Sequence, residues 1–157
     1  MAGWATKRWT REGFARLADW LVEARGAGVI FTGSAADRPE VEAILARMNR
    51  ESADFVGRTD LKTLGALYDR VDCLVSTDTG PMHLAAAMGT PVVALFGPTA
   101  PWRTGPYGAG HAVVRPEVPC SPCFRREAPE CKCMHEIEVT TVKRNVDAVL
   151  ERAAKAY

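Results

Sequence analysis

The chain has 157 residues, 47% of them hydrophobic and 25% charged, with a formal net charge of +1. That length holds one domain with a real hydrophobic core and is short for two. A charge so close to zero excludes bulk attraction to nucleic acid or to a membrane surface, so an anionic ligand has to be held by local groups.

From Thr10 to Arg25, the residues Phe14, Leu17, Ala18, Leu21 and Val22 recur at helical spacing, and Gly26 and Gly28 stop the pattern. "VIF" then reads as a short buried strand and "TGSAADRP" as a turn. Val41, Ile44, Leu45 and Met48 form the inner face of a second helix. "DFVG" is a short strand, Leu61, Leu64, Leu67 and Tyr68 mark a third helix, and "CLVS" is another buried strand. "PMHLAAAMG" follows as a short helix ended by Gly89, and "PVVALF" is the next strand. Short apolar strands alternating with helices predict βαβ units. The expected fold is therefore α/β, a Rossmann-like parallel sheet with helices on both faces.

After Phe96 the character changes. "GPTAPWRTGPYGAG" is a loop rich in Gly and Pro, "HAVV" an edge strand, and Val142, Val146, Val149 and Leu150 define a C-terminal helix from Thr140 onward. A parallel unit normally opens with a strand, and none precedes the first helix. Either that strand comes from elsewhere, or the sequence is a piece of a longer protein. No apolar run approaches the roughly 20 residues of a membrane span, and "MAGWATKRWT" lacks the apolar core of a signal peptide. A cytoplasmic location is the expectation.

The stretch "VSTDTGPMHLAAAMG" carries the most specific chemistry. Asp78-Thr79-Gly80 has the wording of an aspartic protease, but that mechanism needs two such loops sharing a proton. Here there is one copy, and a helix follows at once. Pro81, with fixed φ and no N–H, suits the first helical position, which makes Gly80 the expected N-cap. The free amides from Met82 and His83 onward then lie at the positive end of a helix dipole, beyond the carboxyl end of a strand. That is a place for a phosphate. The alternative is that Asp78 and Thr79 only shape the turn and cap the helix. His83 either hydrogen-bonds a phosphate or sugar hydroxyl, or is simply packed. Near the start, Thr6, Lys7 and Arg8 precede a helix, where Lys and Arg can meet phosphate oxygens or remain solvated surface. Asp37, after the Gly33-Ser34 turn, can bind two ribose hydroxyls or cap the next helix.

Taken in order, "ATKRW", "TGSAAD", "VSTDTGPMHLAAAMGTPVVALFGPT" and "WRTGPYG" resemble the C-terminal half of the bacterial heptosyltransferases, glycosyltransferase family 9. "CSPCFRREAPECKCMHEI" is similar to the cysteine-bearing tail of heptosyltransferase II-type members. The resemblance implies a GT-B fold of two Rossmann-like domains, of which residues 1–157 are the single domain that binds the nucleotide-sugar donor, ADP-heptose. The N-terminal acceptor domain, with the general base, is absent. On this resemblance Lys7 meets the diphosphate, Asp37 the ribose, and Thr79 and Gly80 the phosphates, while Arg58, Thr59 and Asp60 line the adenine pocket. Asp78 and His83 match the motif, with Lys7 and His83 as candidates for stabilising the leaving group.

The implied reaction is an inverting, metal-independent transfer of heptose to the lipopolysaccharide inner core, with no cofactor required. The isolated domain is expected to bind donor without turnover. Membrane contact, at the cytoplasmic face of the inner membrane, is expected only of a full-length enzyme. The alternatives are a GT-B transferase or epimerase using another nucleotide sugar, and a non-catalytic binding module built on the cysteine cluster.

Two departures from the family pattern stand out. Ala100 follows "GPT" where the family often has Asp, and Ala128 replaces a usual Cys while Cys131 is additional. Cys120, Cys123, Cys131 and Cys133 are thus spaced C-x2-C-x7-C-x-C. Four such thiolates can hold a structural zinc; otherwise they are reduced or partly oxidised thiols.

Overall fold

The structure, a computed structural model, describes residues 3–127 and 132–154. Helix α1 (Arg11–Arg25) opens at Thr10, whose hydroxyl accepts the Gly13 N–H at 2.9 Å, and closes at Gly26, which adopts the left-handed conformation at φ 60°. It is followed by β1 (Ile30–Phe31), α2 (Arg38–Leu45), β2 (Ala53–Asp54), α3 (Leu61–Tyr68), β3 (Leu74–Thr77) and α4 (Gly80–Ala87). Then come β4 (Val92–Leu95), α5 (Pro101–Thr104), β5 (Ala112–Val114) and α6 (Val139–Ala154). Three 3-10 turns, Ala5–Lys7, Ala35–Asp37 and Cys133–Glu136, complete the order among the described residues. None of the helices among the described residues is long and apolar enough to cross a membrane.

Every strand pair is parallel. β1 pairs with β2, with Ile30 opposite Ala53, and β4 lies between β3 and β5, with Ser76 opposite Ala94 and Ala94 opposite Val113. The run "VVAL" is apolar throughout because β4 is buried on both faces. Val93 and Leu95 pack with Trp9, Leu17, Val142 and Val146, the side covered by α1 and α6. Val92, Ala94 and Phe96 pack with Tyr68, Met82 and Ala85, the side covered by α3 and α4. The expected α/β architecture with helices on both faces is present, but the sheet is divided. Among the described residues no pairing joins β1 to β3.

Local boundaries differ from the sequence reading where packing outweighs pattern. α2 ends at Leu45, so Met48 lies beyond it, and the second strand is Ala53–Asp54, with Phe55 and Gly57 of "DFVG" still donating to the Phe31 and Gly33 carbonyls. In the Gly/Pro-rich loop, Pro101 starts the single helical turn α5 after a buried Ala100.

Asp19 ties α1 to the turn after α2. It is buried, and its carboxylate accepts the backbone N–H groups of Asn49 and Arg50, both at 2.9 Å, and the Asn49 side-chain amide at 2.9 Å. Burial pushes this carboxyl up, but the three donors outweigh it and hold it below its ordinary value. A depressed folded pKa gives stability that is fully present above the unfolded value and lost as pH falls through the folded one. Asp19→Ala is therefore expected to cost about 2 kcal/mol at pH 7. Urea unfolding at stepped pH should show the gap between variant and parent closing below about pH 4.

Candidate functional site

A cavity of about 910 Å³ opens between the two sheets. Its mouth, at the carboxyl ends of β1 and β3, is lined by Lys7, Asp37, Thr59, Asp60, Asp78, Thr79 and Gly80. Open parallel sheets bind ligands at that end, because helix amino termini and loop amides converge there.

The centre of the mouth is an ion pair. Asp78, directly after β3, is 7% exposed, and Lys7 Nζ donates to its Oδ2 at 2.7 Å. Thr104 Oγ1, from α5, donates to the same oxygen at 3.3 Å. The Trp4 ring lies 4.4 Å from Lys7 Nζ on another side, a cation–π contact that further fixes the ammonium. Lys7 thus has its head held by Asp78, 71 positions away, and by Trp4, three residues before it, while it still lines the cleft. An ammonium with three N–H donors, only one of them in a short bond to Asp78, keeps donor capacity for an anion.

Beside this pair, α4 begins. Thr79, extended at φ −148° and ψ 166°, is the N-cap, so Gly80 and Pro81 are the first two helical residues. This corrects the expectation that Gly80 is the cap. Pro is tolerated at the second position for the same reason as at the first, since neither N–H has an intrahelical partner. The Thr79 hydroxyl does not cap the helix; it donates to the Thr77 carbonyl at 3.2 Å and shares a 3.1 Å hydrogen bond with Ser76 Oγ. The amino end of α4 therefore has no side-chain cap. A Cβ built at Gly80 meets no protein atom within 4 Å, and its φ is not positive, so neither packing nor backbone demands glycine there. What glycine does provide is unobstructed approach to the helix start.

Asp37 closes the turn before α2, its Oδ2 accepting the Ser34 N–H and hydroxyl, each at 2.8 Å, and it lines the mouth as well. Thr59 and Asp60 also line the cavity, with Asp60 capping α3 by accepting the Thr63 N–H at 2.7 Å. That bond holds the Asp60 carboxyl below its ordinary value. Thr6, Arg8 and His83 do not line the cavity. Thr6 is buried and donates to the Arg125 carbonyl at 2.7 Å, anchoring the cysteine segment. Arg8 is exposed, with Glu40 within its electrostatic reach, and His83 is exposed on the first turn of α4 without lining the cleft.

The cysteine segment packs on the opposite side of the fold from α4. Cys133 is buried in the core with Met134 and Ile137, whereas Cys120 is exposed. Among the described residues no three His, Cys, Asp or Glu side chains gather to hold a metal, so the proposed zinc ligands Cys120, Cys123 and Cys133 are not brought together as a site. Cys131 lies outside the described residues. The packing role is instead clear at Gly97: a Cβ there would come within 2.8 Å of Cys133 Sγ.

Two residues of the site escaped the sequence reading. Thr104 lies in "WRTGPYG", a motif quoted for its resemblance without a role, and Trp4 precedes "ATKRW" with no periodicity to flag it.

The chain matches the family model described as glycosyltransferase family 9 (heptosyltransferase) over residues 1–134. It is 40% identical to lipopolysaccharide core heptosyltransferase OpsX of Haemophilus influenzae over 105 residues, 66% of this chain and 30% of that protein. Its fold is similar to the structure of Escherichia coli ADP-heptose lps heptosyltransferase II, with a TM-score of 0.79 and 29% identity, covering 94% of this chain and 43% of the other. It is similar too to a glycosyl transferase family 9 structure from Veillonella parvula, with a TM-score of 0.84 and 28% identity, covering 97% and 44%. The chain spans about a third to a half of the length of the curated relatives it matches.

Proposed function

The chain belongs to glycosyltransferase family 9, the heptosyltransferases, and from that premise we propose that it binds the ADP-heptose donor for transfer of heptose to the lipopolysaccharide inner core. The observation that carries the reading is the Lys7–Asp78 pair set against the uncapped amino end of α4, at the carboxyl edge of a parallel sheet. A cation with spare donors beside free helix amides is suited to a diphosphate. On this reading Asp37 binds the ribose and Thr59 lines the base pocket, supported by both residues lining the same cavity as Lys7.

In the proposed inverting reaction, an acceptor hydroxyl forms a bond to the anomeric carbon as the bond to the diphosphate breaks. The electron pair stays on the departing ADP, and the hydroxyl proton goes to a base that this chain does not supply. Negative charge grows on the leaving oxygen through the transition state, so Lys7 Nζ and the α4 amides lower the barrier there. Asp78 is a positioning residue, acting through Lys7. Domain extent follows from the same reading: residues 1–157 form the donor half of a GT-B enzyme and depend on an acceptor half for turnover.

Calorimetry with ADP, UDP and ADP-heptose tests this. Binding selective for adenine nucleotides, without heptosyl transfer by this chain, is the expected result. Preference for UDP would move the reading to another nucleotide sugar, and no nucleotide binding at all would overturn it.

A further inference from the structure

β3, β4 and β5 are parallel, so their carboxyl ends share one edge of the sheet. Asp78 follows β3 at that edge, α5 follows β4, and Arg115 directly follows β5. A row of aromatic rings, each with an arginine beside it, runs from there. The Arg115 guanidinium lies 5.2 Å from the centre of the Trp102 ring, and that of Arg103, the next residue of α5, lies 5.9 Å from the Phe124 ring. Arg126, two positions past Phe124, lies 4.9 Å from Trp4, the ring that also carries Lys7. The row therefore ends at the Lys7–Asp78 pair of the mouth.

The backbone under the row is fixed. Ser121 Oγ donates to the Gly97 carbonyl at 2.6 Å, the Phe124 N–H to the Pro98 carbonyl at 2.8 Å, and Arg115 Nη2 to the Ser121 carbonyl at 3.3 Å. The rings are nevertheless bare, Trp102 at 71% and Phe124 at 45% exposure. Large apolar rings left together at a surface mark a place where something binds. Charge points the same way. Residues 97–127 hold four arginines against two carboxylates, Glu117 and Glu127, and among the described residues no ion pair joins Arg103, Arg115 or Arg126 to a carboxylate. A guanidinium attracted to a ring keeps its N–H donors for an anion, and of these three only Arg115 spends one on the protein, in the long bond to Ser121.

We propose that this row binds an acidic pyranose, a sugar ring bearing a carboxylate or a phosphate, with Arg103 and Arg115 on the acid group and Trp102 against the C–H face of the ring. The ligand class follows from the pairing. A neutral sugar would leave the arginines unused, and a bare anion would leave Trp102 uncovered. A formal net charge of +1 gives no long-range attraction to a polyanion such as nucleic acid. Because the row runs into the mouth, a saccharide held on it lies beside the sugar of a bound donor. The chain that binds the donor then also selects the acceptor, through Trp102, Arg103 and Arg115. That last step rests on the donor reading; binding of the acidic sugar does not.

The test follows the Trp102 indole N–H by NMR in the 157-residue chain while glucose 6-phosphate, glucuronate, glucose or inorganic phosphate is added. Saturable shifts are expected with the two acidic sugars, at concentrations about tenfold below those at which glucose or inorganic phosphate acts. Arg103→Gln and Arg115→Gln, both at exposed positions, should each weaken the acidic sugars about tenfold and leave glucose unchanged. ADP affinity should be the same in both variants as in the parent. Equal response to glucose and glucuronate overturns the proposal, and so does inorganic phosphate that binds as tightly as glucose 6-phosphate. An unmoved Trp102 signal overturns it as well, as does tighter binding of a single-stranded oligonucleotide, which assigns the rings to stacked bases. Loss of ADP affinity in the arginine variants would overturn it by making the row part of the donor site. A chain that binds glucuronate but not ADP would instead sink the donor reading and leave the saccharide site standing.

Discussion

Replacing Lys7 by Met is expected to weaken ADP binding about a hundredfold, Asp78→Asn about tenfold, and the double variant no more than Lys7→Met alone. The order follows from the geometry. Lys7 lines the cleft and, on the proposed donor reading, carries the charge that meets the diphosphate, whereas Asp78 has its Oδ2 occupied by Lys7 at 2.7 Å and Thr104 at 3.3 Å. Asp78 acts by aiming the ammonium, so once Lys7 is gone its own loss has nothing further to act through. Stability behaves differently. Lys7→Met leaves a carboxylate that is 7% exposed without its cation, expected to cost about 3 kcal/mol, and Asp78→Asn in that background should restore much of it. Calorimetry and urea unfolding of the three variants give both cycles. Additive losses of affinity would mean that Asp78 and Lys7 contact ligand independently.

The same pair shows where sequence reading stops. Lys7 and Asp78 are each visible in a motif, but they are 71 positions apart and no local pattern couples them. By contrast, β4 and α4 were legible because burial writes itself as composition: "VVAL" is apolar throughout, and Pro81 with a following apolar run announces a helix start. The cap was misplaced by one residue because Pro satisfies the first and second helical positions equally. His83 has a structural reason to lie outside the cleft: Met82 and Ala85 take the buried face of α4, which leaves its neighbour at 83 exposed. Thr6 stands beside Lys7 and Arg8 in one motif, but its hydroxyl donates to the Arg125 carbonyl, 119 positions away, a partner no local pattern reveals. Periodicity predicts the strands in the right order, but the lateral gap between β1 and β3 is a property of pairing that no single segment encodes.

Trp9→Ala should be the most destabilising single change near the site, at about 3–5 kcal/mol. Trp9 is 2% exposed in the core of α1, α6 and β4, and packs edge-on against Phe14 with ring centroids 5.1 Å apart. Its Nε1–H donates to the Ile137 carbonyl at 3.0 Å, so truncation opens a cavity and also strips a buried acceptor of its donor. Trp9→Phe separates the two effects, keeping most of the ring and losing the N–H, at about 1–2 kcal/mol. Trp9 lies two residues past Lys7, so a loosened anchor should let the 3-10 turn Ala5–Lys7 drift from Asp78. ADP affinity in Trp9→Ala should then fall together with Tm, whereas in the Lys7→Met, Asp78→Asn double variant affinity falls with stability largely restored. Full ADP affinity in a Trp9→Ala protein that is still folded would show that the core under α1 does not set the position of Lys7.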